Sequence, residues 1–341
     1  MHNRRNIRGR QNNSARRKRL FSVFLLILSI VALSGGTYAW FSNNDSVTAT
    51  GFELGVTPSN SLELSADATP DSWKKNITLD DIINADYSYG VPRKNSYPSM
   101  YKPASTIGNV ANGYIDFYLG HIAKNILGGY IISANSISEI DGPDGYLMAY
   151  DLYIRTAKPQ LLQINLTNSS VKYKKLDTDR NVTQGIEDSI RLAFVYEGFE
   201  SNLNASVAEI QGMNTSDLDD VKVWEPNANH HYQNGIDAAK EFYGLTITDN
   251  QILDYEGIKA AIPESLKLQL GAPNATYFES LGEKLIRSSK DVSGTANLFH
   301  IDSGITKIRI YMWIEGQDVD CENEVSGTSF ETILNFTATE G

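Results

Sequence analysis

The sequence has a single cysteine, Cys321, so no disulfide can form within the chain. The 341 residues contain only five histidines, and His2 lies in the basic head. The other four, His121, His230, His231 and His300, form no H-E-x-x-H pair, which excludes the usual zinc-protease helix. Neither a G-x-S-x-G elbow nor a G-x-x-x-x-G-K-[ST] loop is present, so two common nucleophile and phosphate cradles are also missing. Basic residues are scarce beyond the head, where 22 stand against 41 acidic ones. That balance argues against nucleic acid as a partner, because phosphate binding needs a cationic footprint. Long apolar runs are missing as well. The longest, Leu20–Leu33, is shorter than the roughly 20 residues a spanning helix needs.

The first nineteen residues carry eight positive charges and no acid: Arg4, Arg5, Arg8, Arg10, Arg16, Arg17, Lys18 and Arg19. A basic head followed by a short apolar core is the pattern of an export signal. The helix-breaking pair Gly35-Gly36 and the small Ala39 suit signal-peptidase cleavage, which leaves Trp40 as the new first residue. The alternative is a retained anchor, with the run extended through Trp40 and the N-terminus in the cytoplasm. Two segments follow from this: residues 1–39 as head and signal, and 40–341 as one extracellular domain. The expected location is outside the cell or on its surface. The signal peptidase is then a partner during export, and the membrane is touched only through the signal segment.

Period-2 alternation dominates the body. Ile308, Ile310, Met312 and Ile314 fall on one face, opposite Lys307, Arg309, Tyr311, Trp313 and Glu315. The same pattern recurs in 190–196, 148–154, 162–166, 330–338 and 52–56, and predicts half-buried strands. Residues 190–198 and 308–316 resemble each other, and both end in Glu-Gly. Either they hold equivalent places in a sandwich or they are simply two amphipathic strands. Helical spacing is confined to 235–244, 255–268 and 276–286, which predicts a helical insertion at about 234–288. The fold class is therefore mainly β, an antiparallel β-sandwich with a short α-helical insertion. Residues 70–112 are rich in proline and glycine and read as a long loop.

The stretch G-G-T-Y-A-W-F-S-N-N-D-S-V-T-A-T-G-F-E-L-G-V, residues 35–56, resembles the start of the TasA/camelysin group of Gram-positive exported proteins. The matching residues are Gly35, Gly36, Thr37, Tyr38 and Ala39, then Trp40 and Phe41, then Phe52 and Gly55. The resemblance implies export through a dedicated signal peptidase and a jelly-roll-like sandwich. It also implies a relation to proteins some of which build biofilm matrix fibres. It covers about twenty residues, and no activity comes with it.

Several residues remain as candidates for function. Trp40, Phe41, Phe52 and Leu54 form an aromatic and apolar N-terminal strand that could add to a neighbouring sheet edge. Asp318, Asp320 and Glu322 alternate just past a strand, as oxygen ligands for calcium would. The adjacent His230 and His231 point apart on any regular backbone and make a poor chelating pair. Cys321 reads as a buried thiol or as an intermolecular bridge. No enzyme motif stands out, and no cofactor beyond calcium is suggested. The expected role is non-enzymatic: a cell-surface or matrix structural protein that self-associates or joins other matrix proteins. The alternative is an adhesin or glycan-binding module.

Overall fold

The computed structural model describes residues 46–57, 62–89, 93–111, 113–177, 183–214, 220–272 and 274–340. The expected export segment, residues 1–39, and the expected new start at Trp40 and Phe41 lie outside the described residues. In chain order the strands are β1 (Thr48–Val56), β2 (Glu63–Ser65), β3 (Asn76–Thr78), β4 (Pro103–Ala104), β5 (Val110–Ala111), β6 (Tyr114–Ile115), β7 (Phe117–Lys124), β8 (Tyr130–Ile137), β9 (Met148–Thr156) and β10 (Gln160–Asn165). They continue with β11 (Ser170–Tyr173), β12 (Ile190–Glu200), β13 (Val221–Glu225), β14 (Gly257–Ile258), β15 (Leu268–Gln269), β16 (Phe278–Glu279), β17 (Leu285–Arg287), β18 (Thr295–Ile301), β19 (Gly304–Glu315) and β20 (Ser329–Glu340). Among the described residues three α-helices accompany them: α1 (Leu79–Ile83), α2 (Val207–Gln211) and α3 (Gln233–Tyr243).

The protein is mainly β and sandwich-like. One sheet runs β18-β10-β20-β1-β3, with β11 also on β20, and the other runs β17-β13-β12-β19-β9-β2, with β4 on β19. Most pairings are antiparallel, but β1–β20, β13–β17 and β4–β19 are parallel. The alternating apolar residues meet between the sheets: Phe52 and Leu54 of β1, Tyr150 and Leu152 of β9, Phe194 of β12, Ile308 and Ile310 of β19, and Phe336 of β20. Edge-to-face rings link the sheets, with Phe52 to Tyr150 at 5.5 Å and Phe194 to Phe336 at 5.9 Å. The two similar strands, β12 and β19, are direct antiparallel neighbours, with Ile190 opposite Ile314 and Phe194 opposite Ile310.

The second sheet departs from the half-buried expectation, because both of its faces are covered. Every residue of β19 is buried, including Lys307, Arg309 and Glu315. Its outer face packs Tyr311 and Trp313 against Phe117 of the β7–β8 hairpin and Leu281. The charges there are buried in pairs. Arg309 donates to Asp151 at 2.7 Å and also pairs with Glu139. Lys307 lies 3.1 Å from Asp151 and donates to the carbonyls of Gln211 and Met213. The proline-rich stretch 70–112 supplies part of this cover, with Arg93 on Glu197 at 2.8 Å and Asn95, Ser96 and Ser105 buried.

The helical insertion is smaller than its apolar spacing suggests. α3 appears as expected and stops at Gly244, which takes the left-handed φ of +68° that glycine accepts without penalty. Residues 255–268 and 276–286 form short strands and 3-10 turns instead. Their apolar side chains Ile258, Ile262, Leu270 and Phe278 pack with Ile132 and Ala134 of the β7–β8 hairpin in a small core of their own. This burial, together with Pro263, overrides the helical spacing. A Cβ on Gly257 would lie 2.1 Å from the Thr106 carbonyl oxygen, so the backbone there needs glycine for close approach.

Candidate functional site

The turn after β19 places the three carboxylates that the sequence marks as calcium ligands, and it separates them. Asp318 pairs with Arg191, whose guanidinium is fully buried and also donates to Glu225 at 2.8 Å. Glu225 in turn holds Arg287 at 3.0 Å. Asp320 is buried and lies 2.7 Å from His231 Nδ1, while His231 Nε2 donates to the Gln251 carbonyl at 2.8 Å. Glu322 accepts from the backbone N–H groups of Glu324 and Val325 at 2.6 and 3.2 Å and from Asn234 at 2.6 Å. The alternation that suggests three oxygens on one cation instead sends each carboxylate to a different protein donor. Among the described residues no three His, Cys, Asp or Glu side chains group closely enough to hold a metal ion.

Electrostatics follow from this burial. Burial works to lower His231, but the hydrogen bond and charge of Asp320 outweigh it and push the imidazole up to about 9. Burial raises Asp320 well above the usual carboxylate range, so the pair keeps the proton between Nδ1 and Oδ2. A second pair sits beside it. His230 Nδ1 lies 2.7 Å from Asp188, and burial pushes Asp188 up to about 7. The space enclosed among Asp188, His230, His231, Asp318 and Asp320 is about 10 Å³, room for no more than about one water. The cluster therefore works as a buried lock, fixing the 317–326 turn and the start of α3.

The remaining expected residues lie as follows. Phe52 and Leu54 are 4% and 1% exposed. They are not available to a neighbour, because β1 pairs with β20 on one side and β3 on the other. Ahead of it, Val47 is tied to Tyr101 by reciprocal backbone bonds of 2.9 and 2.7 Å. Cys321 is fully buried in the main core, and burial raises its thiol well above the ordinary value. An intermolecular bridge through it would require the turn to leave the core. Trp224 is buried and donates from Nε1 to Ser288 at 2.9 Å. His121 and His300 are exposed on separate strands.

An edge and a groove are among the surfaces left open in the described residues. β18 ends its sheet, and among the described residues no strand pairs with its outer side. Its seven residues, T-A-N-L-F-H-I, include no lysine or proline to blunt pairing. The second surface is a groove of about 600 Å³ between α3 and the β7–β8 hairpin. Asp237, Glu241, Glu322 and Glu324 line it without any lysine or arginine, beside Tyr130 and Phe242. Those two rings meet edge-to-face at 4.6 Å. Nothing in the sequence pattern marks either surface as a site. The Asn-Ile-Leu-Gly-Gly turn at 125–129 is the local hairpin signal beside the groove.

No protein-family model matches the chain, and no curated protein matches it. The reading of function therefore rests on the sequence and on this geometry.

Proposed function

We propose that the chain is an exported, non-enzymatic structural protein of the cell surface or extracellular matrix, assembling through strand addition. The observation that carries this reading is the outer edge of β18, with which no described strand pairs and to which an incoming extended segment could add by main-chain bonds. The segment on offer is Trp40–Asp45, made terminal by cleavage after Ala39. It immediately precedes Ser46 and Val47, which hydrogen bonds anchor to the body. Its Trp40 and Phe41 would add apolar burial to main-chain pairing. The basic head, the apolar run and the resemblance of 35–56 to the TasA/camelysin group support export and matrix residence.

Deleting residues 40–45 from the exported protein and examining both forms by negative-stain electron microscopy tests this. Filaments from the parent and none from the deletion are expected. A parent that stays monomeric at high concentration, or a deletion that still forms filaments, overturns it.

A second reading, glycan binding, is favoured by an open groove of about 520 Å³ lined by Tyr87, Tyr97, Asn95, Lys94 and Asp141. Rings beside amide and charged groups suit a sugar face and its hydroxyls. Binding on a glycan array that is lost in Tyr97→Ala would favour it over assembly.

A further inference from the structure

The β7–β8 hairpin ends in two aliphatic side chains that nothing covers. Ile126 is 95% and Leu127 90% exposed, well beyond any other large apolar residue described. The turn that carries them is well bonded. Asn125 N–H donates to the Gly129 carbonyl at 2.9 Å and Gly128 N–H to the Asn125 carbonyl at 3.0 Å. Leu127 N–H donates to the Asn125 side chain at 3.1 Å. Gly128 and Gly129 take left-handed φ values of +99° and +74°, which reverse the chain directly after Leu127. The apex is thus a built knob, and two exposed aliphatics on a fixed turn call for a receptor.

A receptor lies on the same hairpin. Ile122, four residues before the knob, and Tyr130, three after it, line the acidic groove against α3. Its apolar part, Ile122, Tyr130, Ala238 and Phe242, suits aliphatic side chains, and its rim is acidic. Lys124, exposed and two residues from Ile126, would bring a positive charge to the rim carboxylates Asp237, Glu241 and Glu324. We infer that the occupant of this groove is the hairpin apex of a second copy of this chain. Because knob and groove share one hairpin, a two-fold axis between crossing hairpins seats both knobs at once, and the contact closes as a dimer. A bilayer is the competing receptor for an Ile-Leu apex. The four carboxylates of the groove that the same hairpin lines oppose approach to an anionic membrane surface, which favours a protein receptor carrying that same acidic groove. The contact uses none of residues 40–45, so it stands or falls separately from assembly through the N-terminal segment.

The test is disulfide capture in the full chain, with Leu127→Cys and Asp237→Cys in the same molecule. Cys321 is buried and does not compete. Under mild oxidation a covalent species of twice the chain mass is expected on a non-reducing gel. The double variant Ile126→Ser/Leu127→Ser, which changes only exposed positions, should raise the dimer dissociation constant by at least about tenfold in sedimentation velocity. Lys124→Glu should weaken the dimer in the same direction. Deleting 40–45 should leave the dimer intact. A ladder beyond the dimer, or no capture in protein with native circular dichroism, overturns the inference. So does an Ile126→Ser/Leu127→Ser variant that still dimerises, or one whose defect is lost sedimentation with phosphatidylglycerol vesicles rather than lost dimer.

Discussion

At the scale of single residues, the His231–Asp320 pair sets a direction for stability with pH. The imidazole is raised from its ordinary 6.5 to about 9, so the folded protein holds a proton that the unfolded chain releases. Its contribution is complete below pH 6.5 and is lost as pH climbs through 9. Burial raises Asp188 and Glu315 to about 7, and these act with the same sign at lower pH. Thermal melts should therefore fall between pH 6.5 and 9, and His231→Gln should flatten that window while lowering the melting temperature at pH 6.5. Gly235, near the start of α3, is a second sensitive position. A Cβ there would stand 2.1 Å from Asp320 Oδ1 and 3.0 Å from its Cγ. Gly235→Ala should cost about 1–3 kcal/mol, read from the urea midpoint. The buried Arg309 is the most exacting residue. Arg309→Met strands Glu139 and leaves Asp151 with Lys307 alone, and should cost about 3–5 kcal/mol. Removing the surface pair Lys74–Asp81 should cost no more than about 1 kcal/mol.

At the scale of elements, the strand pattern is legible where one face meets the main core. β1, β9, β10, β12, β19 and β20 all appear where alternation places them. The burial of their second face is not legible. Arg191, Lys307 and Arg309 read as solvent-facing because their partners are remote: Asp318 for Arg191, and Asp151 for both Lys307 and Arg309. No local window contains both members of such a pair. The partners of the 318–322 carboxylates are hidden for the same reason, since Arg191, His231 and Asn234 reach them from other elements. α3 was readable because its spacing ends at a glycine in the left-handed conformation, a local cue. Residues 255–286 were not readable, because their apolar spacing serves a core shared with a hairpin more than a hundred residues away. The edge strand carries its own prediction. His300→Lys places a charge on exposed β18 without touching the core, and should suppress filament formation by electron microscopy while leaving the melting temperature within about a degree.

At the scale of the whole molecule, the sandwich carries a third layer that turns a strand-built particle into one with an interior of paired ions. The acidic balance of the body keeps such particles apart in solution, so association has to come from specific contacts. Mass spectrometry of protein recovered outside the cell should show a chain beginning at Trp40. A species retaining Leu20–Leu33 in the membrane fraction would show a tethered form instead.

The one thiol of the chain, Cys321, is sealed in the main core, one residue along from the carboxylate that shares a proton with His231. It is therefore a natural stopwatch. A small maleimide added to the folded protein can react only when the 317–326 turn swings out, so the labelling half-life reports how often that door opens. Any partner, salt or acidity that tightens the lock will lengthen it.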